Sequence, residues 1–425
     1  MAPEAVFKTD DITACIAIST GCYAIDFIRS LRSIVTMDGS IIINEVNKVT
    51  LADVKMTGNE HLIEIIGGEM DYDYMQAVKT VMIDQETILR QKDLNIVYTP
   101  LHGAGRQIIP MCLRSWGFEN IHVVPEQMVI DGNFSTVQSP NPENAEAMTM
   151  GMNLGTQLNA DLVIASDPDA DRIAIVCRND KGEWTIINGN QTCMMYCYYI
   201  INNMKKLGKL RPEHYLVKTI VTTNMADVMT KAYDVKLIEV LTGFKYIGQQ
   251  ILGFEQSGKG TYVFGFEESY GCLIGTYARD KDAVVSSMLI CQMAAWYKNQ
   301  GKTLIDGLNE IYDKYGYYLD SLDSFTLKGK DGAERIAELM VYFREKGKEI
   351  FDGVSEVVDY SVGIGDLPKE NVLRFIWSDG SWIAVRPSGT EPKIKVYYSV
   401  REDSKDKAKE RQAGLKAMVD GIIGG

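Results

Sequence analysis

The chain has 425 residues, with 44 Lys and Arg against 57 Asp and Glu, a formal charge of −13. A hydrophobic fraction of 46% and a charged fraction of 24% are those of a folded globular protein and exclude a disordered chain. An acidic balance spread along the sequence argues against a nucleic-acid or anionic-membrane surface, while leaving room for a local basic pocket that takes an anionic small ligand.

No run of uninterrupted apolar residues reaches the ~18 needed to span a bilayer. Residues 12–25 are fairly apolar, but Asp10 and Asp11 precede them where a signal peptide carries positive charge, so a buried strand or two is expected there. The eight cysteines, Cys15, Cys22, Cys112, Cys177, Cys193, Cys197, Cys272 and Cys291, form no CxxC pair and are expected as reduced thiols of a cytoplasmic protein. Cys193 and Cys197 fall one helical turn apart in an apolar run and read as a buried helix face. The histidines are isolated, so no zinc-type cluster is visible.

In chain order, residues 1–65 are the least regular part. From about 70 the pattern sharpens into a helix over 71–91, a strand over 94–98, a Gly-bearing loop with a helix to Trp116, and a strand over 120–124. A helix over 143–158 and a strand over 162–165 follow, then a hairpin of 173–177 with 184–187. A second alternation gives strands at 215–221, 236–240 and 261–266, helices at 225–233 and 246–254, and a long helix over 282–297. The last section changes character, with a helix over 334–348, four strands between 357 and 400, and a closing helix over 404–423. The expected fold class is therefore α/β: two doubly wound α/β domains (66–205 and 206–317) and a C-terminal α+β domain (318–425), after an N-terminal segment (1–65).

Three loops carry chemistry. Ser166-Asp167-Pro168-Asp169-Ala170-Asp171-Arg172 follows a buried strand, and carboxylates at alternating positions can converge on one hard cation. Loops after parallel strands are where open α/β sheets bind ligands. An EF-hand is excluded, because Arg172 stands where that loop needs glycine and Arg178 where it needs glutamate. Arg172 would suit a phosphate beside the metal. Arg386-Pro387-Ser388-Gly389-Thr390-Glu391-Pro392-Lys393 brings hydroxyls, loop amides and a guanidinium together as an anion cradle. Gly265-Phe266-Glu267-Glu268-Ser269-Tyr270-Gly271 offers carboxylates and a hydroxyl to sugar hydroxyls. Thr242-Gly243-Phe244-Lys245 and Arg279-Asp280-Lys281-Asp282 add further polar and cationic groups. A metal site, a phosphate cradle and a polyol loop together suggest a phosphorylated sugar and phosphoryl transfer.

These segments, with YTPLHGAG (98–105), SPNPE (139–143), NGNQ (188–191), KTIVTTN (218–224) and TGFKYIG (242–248), resemble the α-D-phosphohexomutase family, and most closely its phosphoglucomutase/phosphomannomutase branch, from about residue 65 onward. The resemblance implies four domains, three α/β and a smaller α+β, each giving a loop to one cleft, so that 1–65 would be a remnant of the first domain. It implies interconversion of hexose 1-phosphate and hexose 6-phosphate through a phosphoserine and a sugar 1,6-bisphosphate, with Mg2+ on Asp167, Asp169 and Asp171. Glu267 and Ser269 would hold sugar hydroxyls, and Arg386, Ser388, Gly389 and Thr390 the distal phosphate, with Thr242, Gly243, Lys245, Arg279 and Lys393 as further substrate contacts. Arg172 would contact the transferring phosphate, and Lys281 would serve as acid/base or phosphate contact. The family's T-A-S-H-N-P serine loop is not found: Met37 follows Thr36 directly, and Ser33 and Ser40 lack its neighbours. Two other readings stand beside a mutase. One is a hexose-phosphate binder without turnover; the other is a dehalogenase-type phosphatase using Asp167 as nucleophile and Asp169 as acid/base.

Overall fold

The computed structural model describes residues 5–7, 63–65, 67–327, 329–388 and 392–424. The expectations for residues 12–25, Cys15, Cys22, Ser33, Ser40, Gly389 and Thr390 lie outside them. Two short segments, β1 (Ala5–Phe7) and β2 (Ile63–Ile65), pair antiparallel.

The next elements are α1 (Gly68–Lys79), α2 (Gln85–Leu89), β3 (Ile96–Thr99), α3 (Gly105–Trp116), β4 (Ile121–Val123), α4 (Thr149–Gln157), β5 (Leu162–Ser166), β6 (Ile173–Arg178) and β7 (Trp184–Ile187). Their sheet runs β4-β3-β5-β6-β7, with β4, β3 and β5 parallel and the β6–β7 hairpin antiparallel at one edge. All five residues of β5 are buried, as a strand covered on both faces requires.

A second set follows: α5 (Gly189–Lys206), β8 (His214–Thr219), α6 (Met225–Ala232), β9 (Lys236–Val240), α7 (Phe244–Ser257), β10 (Thr261–Phe266), β11 (Cys272–Ile274), α8 (Ala283–Lys298) and α9 (Leu304–Tyr315). Its sheet is β11-β10-β8-β9, parallel except for β11. Both α/β sheets are thus mixed, each with an antiparallel edge.

The third set is β12 (Tyr317–Thr326), α10 (Gly329–Lys346), β13 (Val354–Asp359), β14 (Leu373–Trp377), β15 (Trp382–Pro387), β16 (Lys393–Glu402) and α11 (Lys405–Gly424), built on an antiparallel sheet β12-β16-β15-β14-β13. The period-2 alternation of strands sorts its two faces. Ile383 and Val385 join Leu339, Phe343 and Val419 under α10 and α11. Trp382 and Ala384 turn the other way, onto Ile220, Val221 and Leu241 of the second set.

The sequence reading and the structure part at a few elements. The helix expected over 71–91 is two, because Asp84 caps α2: its carboxylate accepts from the Thr87 N–H (3.3 Å) and hydroxyl (2.7 Å), ending the first helical run before it. The helix expected from 143 starts at Thr149; before it the chain makes turns, with Asn141 accepting from the Glu143 N–H at 3.0 Å. The elements α9, β11 and β12 were not assigned from sequence.

Helix α8 explains how the first two sets hold together. Most of its residues are buried, including Ser286, Ser287 and Gln292, and it packs against α2 and α3 on one side and α5 on the other. A helix buried around its circumference is a core element. One continuous apolar cluster accordingly spans both sets.

Candidate active site

The acidic loop leaves β5 at Ser166 and turns back into β6. Carboxylate oxygens of Asp167, Asp169 and Asp171 come within 4.8 Å of one another, and among the described residues this is the group of His, Cys, Asp or Glu side chains close enough to share an ion. The loop is fixed by backbone from two directions. The Ala104 N–H donates to Pro168 O at 2.8 Å, and the Ala283 N–H, at the start of α8, donates to Ala170 O at 3.0 Å. Gly103 lies so near that a Cβ there would stand 2.3 Å from the Pro168 Cα, which explains a glycine in the 98–105 loop. His102 is buried behind it, its ring nitrogens 2.8 Å from Val129 O and 2.7 Å from the Thr136 hydroxyl.

Charge in this loop is concentrated. Burial, reinforced by the charges of Asp171 and Asp169, pushes the Asp167 carboxyl well above the usual carboxylate range. Burial would push Asp171 the same way, but the Lys281 ammonium, 2.5 Å from its Oδ2, overrides it and holds the group low. Arg172 lies 3.5 Å from Asp171, 3.8 Å from Asp167 and 3.3 Å from Glu143. An all-oxygen donor set with surplus negative charge fits a hard divalent cation.

The sugar loop leaves β10 and closes on itself through the Glu267 N–H to Gly271 O, 2.8 Å. The Glu267 side chain accepts from the Gly243 N–H at 3.1 Å, and Glu268 accepts from the Thr219 hydroxyl at 3.3 Å. Burial and the neighbouring Glu268 charge push Glu267 up to about 7. Gly271 makes room for the next loop, since a Cβ there would meet the Lys281 Cδ at 2.3 Å. Ser269 is half-buried in the same turn.

The phosphate loop leaves β15. Its Arg386 donates to the Thr242 hydroxyl at 2.8 Å, bridging the third set to the second. The Ser388 N–H donates to Lys393 O at 2.8 Å. Lys395 on β16 is held below the usual lysine range by burial and then by Arg386, while Glu268, Arg172 and Glu143 also act on it. That set of neighbours places one lysine in the fields of all three loops.

Lys245 is exposed and stands 4.8 Å from the Tyr246 ring centroid, and Arg279 pairs with Glu255 of α7 at 2.6 Å. Glu143, 3.3 Å from Arg172, Glu370, 3.5 Å from Arg386, and Lys395 also stand at these loops and were not singled out from sequence; Glu143 and Lys395 sit inside motifs that were.

Behind the phosphate loop, the second and third sets meet over buried charge. Lys218 is fully buried, 2.7 Å from Asp227, 3.3 Å from Glu239 and 3.0 Å from Asn224 Oδ1. Arg374, from β14, reaches across to Glu239 at 2.9 Å and to Asn224 at 2.8 Å.

These loops leave the ends of strands in successive sheets: the acidic loop follows β5, the Glu267–Gly271 turn follows β10 and the Arg386 segment ends β15. Residues 72–182, 188–315 and 332–416 match domain II (alpha/beta/alpha), domain III (alpha/beta/alpha) and the C-terminal domain of phosphoglucomutase/phosphomannomutase. The chain is 37% identical over 342 residues to a phosphoglucomutase of Staphylococcus aureus, covering 77% of this chain and 60% of that one. It is 36% identical over 365 residues to a phosphoglucomutase of Staphylococcus epidermidis, covering 82% and 64%. The fold is similar to that of the Paramecium phosphoglucomutase parafusin in its open form, with TM-score 0.62 at 18% identity over 83% of this chain and 62% of that one. A phosphoglucomutase/phosphomannomutase family protein of Burkholderia thailandensis gives TM-score 0.57 at 15% identity over 83% and 64%. The chain belongs to the phosphoglucomutase/phosphomannomutase branch of the α-D-phosphohexomutases. It spans 60% and 64% of the two curated relatives. Among the described residues, no helix is long and apolar enough to cross a membrane.

Proposed function

We propose that this chain carries the metal, sugar and phosphate loops of a phosphoglucomutase-type mutase and binds a hexose monophosphate in the cleft they form. The observation that carries the proposal is the convergence of the loops through Lys281 on Asp171, the Gly243 N–H on Glu267, and Arg386 on Thr242. Asp167, Asp169 and Asp171 would hold Mg2+, which when bound neutralises charge on a transferring phosphoryl group. Arg172 would pair with that group, and Glu267 and Ser269 would receive sugar hydroxyls. Arg386 and Ser388, with Gly389 and Thr390 that follow them in sequence, would take the phosphate at the other end of the sugar. In a mutase cycle a phosphoserine would give its phosphoryl group to one end of the hexose phosphate. The bisphosphorylated sugar would reorient and return the group from its other end.

One observation favours a second reading, binding without turnover: Thr36 runs directly into Met37 where the family's serine loop is expected. That segment lies outside the described residues. A coupled assay with glucose 1-phosphate and glucose 1,6-bisphosphate separates the two. Enzyme-like formation of glucose 6-phosphate supports the mutase, and binding with no turnover supports the binder.

A further inference from the structure

The phosphate cradle is partly filled by the protein's own carboxylate. Glu370 lies in the turn before β14, and its main chain is fixed on both sides: its N–H donates to Tyr360 O at 3.1 Å, and its carbonyl accepts from the Val372 N–H at 2.8 Å. Its side chain reaches the junction with the second set. There Oε1 accepts from the Thr242 hydroxyl at 3.4 Å and stands 3.5 Å from Arg386 NH1. Arg386 donates to the same Thr242 hydroxyl at 2.8 Å. Arg386, Thr242 and Glu370 thus close a three-membered ring across the junction of the second and third sets. The ring is incomplete at its outer atoms. Arg386 Nε and Glu370 Oε2 are both buried, and neither makes a hydrogen bond among the described residues. A buried donor and a buried acceptor in the ring are thus left with hydrogen-bonding capacity that an incoming ligand can use.

We propose that Glu370 is a built-in counter-anion that occupies Arg386 in the ligand-free protein and that an incoming phosphate displaces. This rests on the phosphate-cradle reading above and adds to it a residue that sets affinity. The carboxylate acts in two ways, each with the same sign. It competes for the guanidinium, and it repels a second anion held a few ångströms away. A phosphate dianion with several acceptor oxygens can replace the single carboxylate contact and also engage Nε. Glu370 therefore raises the threshold for anionic ligands at Arg386.

Titration calorimetry with inorganic phosphate and with glucose 6-phosphate tests this on the full chain and on its Glu370→Gln and Glu370→Asp variants. The Gln variant is expected to bind both ligands at least about threefold more tightly, the factor a partly exposed ion pair is worth. The Asp variant keeps the charge and stays close to the parent, which a purely structural role would not require. A Gln variant that binds phosphate equally or more weakly, while the parent protein binds it, overturns the claim about Glu370 alone. Phosphate binding absent from both parent and variant counts against the cradle itself, and with it the proposal. A second readout needs no ligand: the rate at which phenylglyoxal modifies Arg386, followed by peptide mass spectrometry. It is expected to rise in the Gln variant and to stay at the parent rate in the Asp variant. Equal rates in parent and Gln variant would overturn the pairing.

Discussion

The two ends of the cleft are held in different ways. At the metal end, the first two sheets share one apolar cluster, and main-chain bonds cross between them, as from Ala283 to Ala170. Asp282, which caps α8, is buried and accepts from Tyr74 of α1 at 2.5 Å and Tyr277 at 2.6 Å, tying the first set to the start of α8 and to the loop that carries Lys281. At the phosphate end, the third sheet keeps its own core and meets the second across a smaller apolar patch. There the crossing contacts include side-chain ion pairs and hydrogen bonds, Arg374 to Glu239 and Arg386 to Thr242. Shared core and main-chain bonds hold the acidic loop, the proposed metal site, in place before a ligand arrives. Side-chain pairs can be exchanged one for another at small net cost, so the phosphate end is where the cleft can adjust to a ligand.

If that contrast holds, substitutions at the metal end should cost most. Gly103→Val would drive a side chain into the main chain at Pro168. We expect a loss of about 3 kcal/mol or more by urea denaturation, with weakened Mn2+ binding by electron paramagnetic resonance. Lys281→Met removes the ammonium 2.5 Å from Asp171 and leaves Arg172 to offset Asp167, Asp171 and Glu143. A loss of about 3 kcal/mol is expected, partly restored by millimolar Mg2+ because a bound cation supplies the missing charge. Restoration as small as that given by K+ would break the claim that the loop is built for a divalent ion.

Smaller effects are expected at the other end. Arg374→Met leaves Glu239 with Lys218 as a partner and removes the crossing pair. Stability should fall by about 2 kcal/mol, and glucose 6-phosphate affinity should fall while Mn2+ affinity is unchanged. Equal loss of both would show that the two ends are not separable. The smallest effect concerns Asp320 on β12, where burial, opposed by Ser399, Thr223 and Lys218, pushes the carboxyl from 3.8 up to about 6. A raised folded value stabilises the protein fully below 3.8, and that stability is lost as pH rises through about 6. Asp320→Asn should therefore melt a few degrees above the parent at pH 8 and show no such advantage at pH 4, by thermal denaturation.

Much of the metal end was legible in sequence because its chemistry is local. Three aspartates in five residues follow an apolar strand, and Glu267 and Glu268 lie in one turn. The fold class was legible for a similar reason, since runs such as residues 162–165 and the change of rhythm after 317 are short-range patterns. What escaped is long-range. Nothing near Gly271 in the chain shows that its missing Cβ makes room for Lys281, and nothing near Glu370 predicts Arg386 beside it. The pairing of Arg279 with Glu255 runs from the loop before α8 to α7 and is likewise invisible in either segment alone. The break before α2 could have been found, because Asp84 followed three residues later by Thr87 is a helix-start signal inside the apolar run.

The central claim is that the three loops form one hexose-phosphate site. The most direct test is calorimetric titration of the full chain with glucose 6-phosphate, with and without Mg2+, repeated on Arg386→Ala. The account predicts binding that Mg2+ strengthens and that the Arg386→Ala variant loses by at least about tenfold, with the melting temperature of the variant close to that of the parent. Glucose 6-phosphate binding that is absent, or that is indifferent to Arg386 in a folded variant, would contradict it.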